Sequence, residues 1–238
     1  MPDPLRPVRE EELPPAIPAA TVVLLRDGAD GVETLMLRRN SKLAFAGGAW
    51  VFPGGRIDPE DYPGGEVSDD ADAVITAARN AAAREAMEEA GLAVDASSLV
   101  WFAHWTPGAI ATRRFATWFF VGTAPEGRVV VDDGEIHEHQ WIRPADAIAR
   151  RESGEIELIP PTWVTLHKLA DASSTDEVIA DARARDPEVF LTHITRVDGG
   201  VASIWQGDAA YDDLDTEKPG PRNRLLMLDT GWRLETSA

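Results

Sequence analysis

The sequence predicts a mixed chain of the α+β class, and three observations predict it. Apolar and β-branched runs of strand length recur from Ala19 to the C-terminus. One alanine-rich stretch of helical length, between Ser68 and Gly91, interrupts them. Further helical segments, "PADAIARR", "PPTWVTLHKLADA" and "TDEVIADARAR", then separate an early from a late group of strands. The order strands, helix, strands, helices, strands lacks the regular alternation of a doubly wound parallel sheet.

Taken in order, "AATVVLLR" and "ETLMLRR" flank the turn "DGADG" and read as a hairpin. "AWVFPGG" reads as a short strand ended by Pro-Gly-Gly, and "RIDPEDYPGGEVSDDAD" is loop by its density of Pro, Gly and Asp. A helix starts near Ser68 or Asp69, where a capping side chain and first-turn acids suit its positive N-terminal end, and stops at Gly91. "SLVWFAHW" and "RRFATWFFVGTA" are strands joined through "TPGAIAT", and "EIHEHQWI" is another. After the three helical segments the strands resume as "VFLTHITRV", "GVASIWQ", "RLLMLD" and "WRLE". We expect an extended, proline-rich arm over 1–17, a main domain over 18–172, and a C-terminal helix with strands over 173–238 that packs back as an appendage.

Composition narrows the function. With 238 residues and eight tryptophans the chain can bury a sizeable core. A net charge of −18 argues against general affinity for nucleic acid or anionic lipid. A small polyanionic substrate would therefore need bound cations or clustered arginines. No run reaches the length of a membrane span. The absence of cysteine removes disulfides, thiolate catalysis and zinc-thiolate sites, and fits a reducing cytoplasm.

The chemistry concentrates in "AAAREAMEEAGLAV". On a helix, Glu85, Glu88 and Glu89 fall at i, i+3 and i+4 on one face. Three carboxylates there repel one another unless a cation sits among them, and a hard divalent ion with oxygen ligands is the economical answer. Arg84, four residues before Glu88, can pair with a carboxylate and hold it. The alanines at 81, 82, 83, 86 and 90 allow close packing on a sheet. A glutamate-rich helix is more commonly just a solvated face. Here the order "REAMEEAGL" and the upstream "FPGG" point elsewhere.

Together these segments resemble the Nudix hydrolase family, whose signature reads G-x5-E-x7-R-E-U-x-E-E-x-G-U with U bulky and aliphatic. Arg84, Glu85, Glu88, Glu89, Gly91 and Leu92 match its second half, and Ala86 is smaller than the usual aliphatic. "FPGG" matches the preceding loop. After five intervening residues from Gly55 stands Asp61, an acid where the family has Glu, with Asp58 as an alternative in the same loop. Between Asp61 and Arg84 lie 22 residues where the signature has seven, an insertion of 15. That insertion, with "WTPGAIATRRFATWFF", "HQWIRPADAI", "IPPTW" and "RNRLLMLDTGWRLE", is similar to the branch containing peroxisomal-type coenzyme A and acyl-CoA diphosphatases.

The resemblance implies an α/β/α sandwich with a mixed sheet and a C-terminal extension. It also implies hydrolysis of the pyrophosphate bond in a nucleoside-diphosphate-linked compound, with Mg²⁺ or Mn²⁺ as cofactor. Glu88 and Glu89 would be metal ligands and Glu85 a third ligand or the base, with Arg84 in the same machinery. Glu135 and Glu138 are outside candidates for a remote base. Coenzyme A or acyl-CoA is the leading substrate; NADH, ADP-ribose or a nucleotide sugar is the alternative, and a non-catalytic nucleotide sensor is a second. A homodimer is common in the family, and the C-terminal strands could mediate one.

Guanidinium pairs bidentately with phosphate, which makes Arg38, Arg39, Arg56, Arg113 and Arg114 candidate substrate contacts, along with Gly54 and Gly55 beside them. Arg56, directly after "GG", is the strongest of these. His137 and His139 share a strand but have no third ligand at a recognisable spacing, so they read as ordinary strand residues. Phosphate-loop and dinucleotide fingerprints are absent.

Overall fold

The computed structural model describes residues 15–41, 46–108, 114–131 and 134–237. The expected arm lies almost wholly outside them, as does Arg113. The chain divides into two compact units. Of the described residues, the larger comprises 18–41, 46–103, 117–131 and 134–188, and the smaller comprises 15–17, 104–108, 114–116 and 189–237.

In the larger unit, β1 (Ile17–Gly28) and β2 (Gly31–Arg39) form the expected hairpin, antiparallel with Leu25 opposite Thr34. The stretch "AWVFPGG" is two strands rather than one. β3 (Trp50–Val51) pairs with β2, whereas β4 (Gly54–Arg56) pairs with β1. Pro53 has no N–H to continue a ladder. Its carbonyl instead accepts from the Val22 N–H at 2.9 Å and from the Thr21 hydroxyl at 2.7 Å, which carries the chain from one neighbour to the other. β5 (Val100–Thr106) and β6 (Phe115–Thr123) extend the sheet in the order β3-β2-β1-β6-β5, and β7 (Ile136–Ile142) pairs with β2. Strands with helices in this order make the α+β fold that the sequence predicts.

α1 (Ala71–Ala90) begins two residues past the later of the expected starts, Ser68 and Asp69, because Asp70 is the cap: its carboxylate accepts the Ala73 N–H at 3.0 Å. Gly91 ends the helix in the left-handed conformation at φ 67°, where a side chain would be strained. Ala77, Ala78, Ala81, Ala82, Ala86 and Ala90 are buried. All but Ala77 join one core with Val22, Leu24, Leu35, Leu37, Phe120 and Ile136 from the sheet. Small side chains bring the helix backbone close to the strands, so the residues on its flanks are held in fixed places. α2 (Pro144–Glu152), α3 (Pro160–Leu169) and α4 (Thr175–Ala184) follow, two of them starting at proline. No helix among the described residues is long and apolar enough to cross a membrane.

In the smaller unit, "VFLTHITRV" also breaks in two, β8 (Glu188–Leu191) and β9 (His193–Val197). Thr192 between them gives both its N–H and its hydroxyl to the Thr106 carbonyl, at 2.9 and 3.2 Å. β10 (Gly200–Ile204), β11 (Asn223–Leu228) and β12 (Gly231–Thr236) complete an antiparallel sheet ordered β12-β11-β10-β9. Trp105 stacks on Phe190 with ring centroids 3.8 Å apart, and Trp205 meets both rings edge-on.

A buried ion pair ties the long connection after β10 to β11. Arg224 donates Nε–H and Nη2–H to the two Asp208 oxygens at 2.7 and 2.5 Å. Burial alone would raise the Asp208 pKa, but Arg224 and the Asn223 and Ala210 amides outweigh it and hold the carboxyl below its usual value. A depressed folded-state pKa adds stability above the unfolded value, near pH 4, and loses it as pH falls through the folded value. Asp208→Asn is expected to cost about 3 kcal/mol at pH 7, since it leaves a buried guanidinium without its counter-charge. Urea unfolding of both proteins checks this: the gap should close as the pH is taken below about 4.

Candidate active site

Arg84 is the centre of the site. Its Nε–H and one Nη2–H reach the two Asp61 oxygens at 3.1 and 3.0 Å. Nη1 donates to Glu85 at 2.9 Å and to Glu88 at 3.0 Å, and Nη2 also donates to the Arg56 carbonyl at 2.9 Å. One guanidinium therefore binds the loop after β4 to two glutamates of α1. Asp61 is only 5 % exposed, and its orientation is locked by the Asp58 N–H at 2.9 Å. The Asn80 amide holds the Asp61 carbonyl at 2.8 Å. Asp58 is exposed and comes no nearer to Arg84 than 3.8 Å. Asp61 is thus the acid that faces the helix, by geometry that the loop's length concealed. Arg84 is kept firmly protonated, chiefly by its hydrogen bonds to Asp61.

Sequence spacing places the three glutamates on one face, and the fold grades their exposure. The Glu88 side chain is 57 % exposed, Glu85 14 % and Glu89 7 %. Burial pushes the Glu89 carboxyl up to about 8, against the pull of the Gly54 amide, which donates to its Oε2 at 3.0 Å. Burial likewise raises Glu85, with Arg84 opposing. Both glycines of "FPGG" are spatial requirements. A Cβ on Gly55 would lie 2.2 Å from Glu85 Oε1, and one on Gly54 would lie 2.5 Å from the Ala20 carbonyl oxygen.

The donor set suits a hard divalent cation. It consists of carboxylate oxygens, two of them partly desolvated, with a carboxylate seated where only glycine leaves room. Among the described residues no three acids are yet gathered around one point, because Arg84 holds Glu85 and Glu88 to itself.

The other candidates are placed as follows. The Arg56 side chain is exposed beside the site. Arg38 points outward and pairs with Glu138 at 3.1 Å. Arg114, in the smaller unit, is buried and donates Nε–H to the Pro107 carbonyl at 2.9 Å. Glu135 accepts from Arg39 at 3.3 Å. Arg39 itself lies 3.9 Å from Glu89, a proximity the sequence reading missed. Strand parity does not reveal it, because Leu35, Met36 and Leu37 are all buried and the β2–β7 register shifts between Arg38 and Arg39.

Replacing Asp61 by Asn keeps its shape and removes its charge from Arg84. Turnover is expected to drop about 10- to 100-fold, as for loss of a residue that orients catalytic carboxylates. Asp58→Asn, at an exposed and distant ion pair, should change it by less than about threefold. Steady-state rates of the two variants, measured side by side, decide between the acids.

Fold and site together define a hydrolase in which an arginine-braced carboxylate helix faces a glycine loop. A family model described as the NUDIX domain matches residues 15–162. The chain belongs to the Nudix family, and it is a Nudix pyrophosphohydrolase acting on nucleotide-linked compounds. Among solved structures it is similar to a NUDIX hydrolase from Alicyclobacillus acidocaldarius, with 24 % identity over 70 % of this chain and 96 % of that one, at TM-score 0.61. It is also similar to a MutT NUDIX hydrolase from Burkholderia pseudomallei, with 18 % identity over 66 % of this chain and 99 % of that one, at TM-score 0.47. The first of these likenesses supports the fold.

Proposed function

We propose that the protein hydrolyses the pyrophosphate bond of coenzyme A or an acyl-CoA, giving an adenosine bisphosphate and a phosphopantetheine derivative. Glu88 and Glu89 hold Mg²⁺ or Mn²⁺, and Glu85 serves as a third ligand or as the base. The observation that carries the reading is the single guanidinium of Arg84 bridging Asp61, Glu85 and Glu88, which joins both halves of the signature across the long connection. When bound, the cation would neutralise pyrophosphate charge and acidify water. The chain's own residues do the rest. Arg84 fixes the directions of two carboxylates, and the Gly54 amide fixes a third. Gly55 keeps Glu85 close to the loop, and Arg56 presents an exposed cation beside it for a phosphate.

The coenzyme A assignment draws on the insertion between Asp61 and Arg84 and on the similar segments beyond it. On this reading 18–172 is the catalytic domain and 173–238 an appendage. The protein would work in the cytoplasm on a small nucleotide, away from nucleic acid and membrane, as a monomer or a homodimer. Hydrolysis of coenzyme A, an acyl-CoA, NADH, ADP-ribose and a nucleotide sugar, each with Mg²⁺ and with Mn²⁺, tests it. Efficient cleavage of ADP-ribose with none of coenzyme A would overturn the substrate assignment.

A further inference from the structure

Arg39 sits between two acids that approach it from different elements. Its Nη1 is 3.9 Å from Glu89 Oε1, and its Nη2 donates to Glu135 at 3.3 Å. The Glu89 contact is too long for a hydrogen bond, so it compensates charge without clamping the carboxylate. The Gly54 amide does the clamping, from the other carboxylate oxygen.

The backbone at Arg39 is fixed. Its N–H bonds the Ala49 carbonyl at 3.0 Å, its carbonyl accepts from Gly48 at 3.1 Å, and the next residue's N–H bonds the Glu135 carbonyl at 2.7 Å. The β2–β7 ladder shifts register at this point, with Arg38 opposite Glu138 but Arg39 opposite Ile136. Such irregularities re-aim side chains beside active sites. The Arg39 side chain is only 18 % exposed, yet its buried Nε–H has no hydrogen-bond partner among the described residues. Most buried side-chain donors are hydrogen-bonded, so an unpaired Nε–H marks a guanidinium that is not fully held. This one is anchored at the backbone and loosely held at the tip.

We propose that Arg39 is a built-in counter-ion for Glu89: it neutralises that buried carboxylate while no divalent cation is bound there, and Glu135 takes up its charge when one is. Arg39 and the cation then compete for one carboxylate, and Glu135 sets how readily Arg39 yields. Arg39 is a positioning residue that makes no contact with substrate in this role. The inference rests on Glu89 being a cation ligand.

The test is equilibrium Mn²⁺ binding to the full chain without substrate, followed by loss of the free-ion electron paramagnetic resonance signal. Circular dichroism confirms the fold of each variant. Removing a competing charge should tighten binding about tenfold in Arg39→Met, and likewise in Arg39→Gln should the first variant fold poorly. Arg39→Lys, which keeps the charge, should stay within about threefold of the parent, and Glu135→Gln should weaken binding by about threefold or more. Arg143→Met, whose guanidinium pairs with Asp146, should shift affinity by less than about twofold.

Unchanged or weaker Mn²⁺ binding by folded Arg39→Met and Arg39→Gln overturns the proposal. So does equal tightening by Arg143→Met, which would mean bulk charge alone. Glu89→Gln separates the two levels. If it weakens Mn²⁺ binding while the Arg39 variants do not tighten it, the counter-ion role fails and the ligand reading stands. If it leaves Mn²⁺ binding unchanged, the ligand reading falls and takes the counter-ion role with it.

Discussion

Glu89→Gln is expected to lower kcat by roughly 1000-fold while the fold survives. That exceeds the ~10- to 100-fold that loss of a supporting residue costs a metal site. The amide is nearly isosteric, and its oxygen can still accept the Gly54 N–H that the carboxylate accepts at 3.0 Å. Burial already raises this carboxyl to about 8, so an uncharged side chain there carries little desolvation cost and the melting temperature should hold or rise. What the variant lacks is a group that a bound cation can hold in its charged, ligating form. Initial rates at saturating Mg²⁺ and a thermal melt check the two halves together. A variant that melts normally and turns over within tenfold of the parent would remove Glu89 from the machinery.

The paired substitutions Gly54→Ala and Gly55→Ala should separate stability from activity at adjacent residues. At Gly54 the added methyl would meet the Ala20 carbonyl oxygen at 2.5 Å and the Thr21 Cβ at 2.7 Å. Both belong to β1, which pairs with β4 here, so neither can retreat without disturbing the sheet. Overpacking of this kind costs about 3 kcal/mol, a fall in melting temperature of roughly 6 to 12 °C for a chain this size. At Gly55 the three atoms nearest the methyl all belong to the Glu85 carboxylate, with Oε1 at 2.2 Å. That group is the end of a flexible side chain and can swing away. Stability should therefore change by less than about 1 kcal/mol, while displacement of Glu85 lowers kcat by about 100-fold. Calorimetry and initial rates on both variants measure the contrast. Equal loss of stability at the two positions would mean that Gly55 serves the fold and not the site.

Much of the architecture is legible because its signals are local. Alanine periodicity, an aspartate cap and Gly91 define α1 within a few residues, and alternation defines the β1–β2 hairpin. The misreadings came where a partner far along the chain intervenes. "VFLTHITRV" is continuous by propensity, yet Thr192 turns both of its donors to Thr106, 86 residues earlier. "AWVFPGG" looks like one strand until its two halves find different neighbours in β2 and β1.

By itself the sequence determined the chemistry available: one face of one helix carrying Glu85, Glu88 and Glu89, an arginine beside them, and a glycine loop upstream. Helical geometry fixes those relations over less than two turns, so no other part of the chain is needed to read them. Only the tertiary structure decided which acid of the loop faces Arg84, which arginine of the Arg38–Arg39 pair turns toward the glutamates, and how deeply each carboxylate is buried. Those outcomes depend on distances between segments tens of residues apart, and packing sets such distances where local propensity carries no information about them.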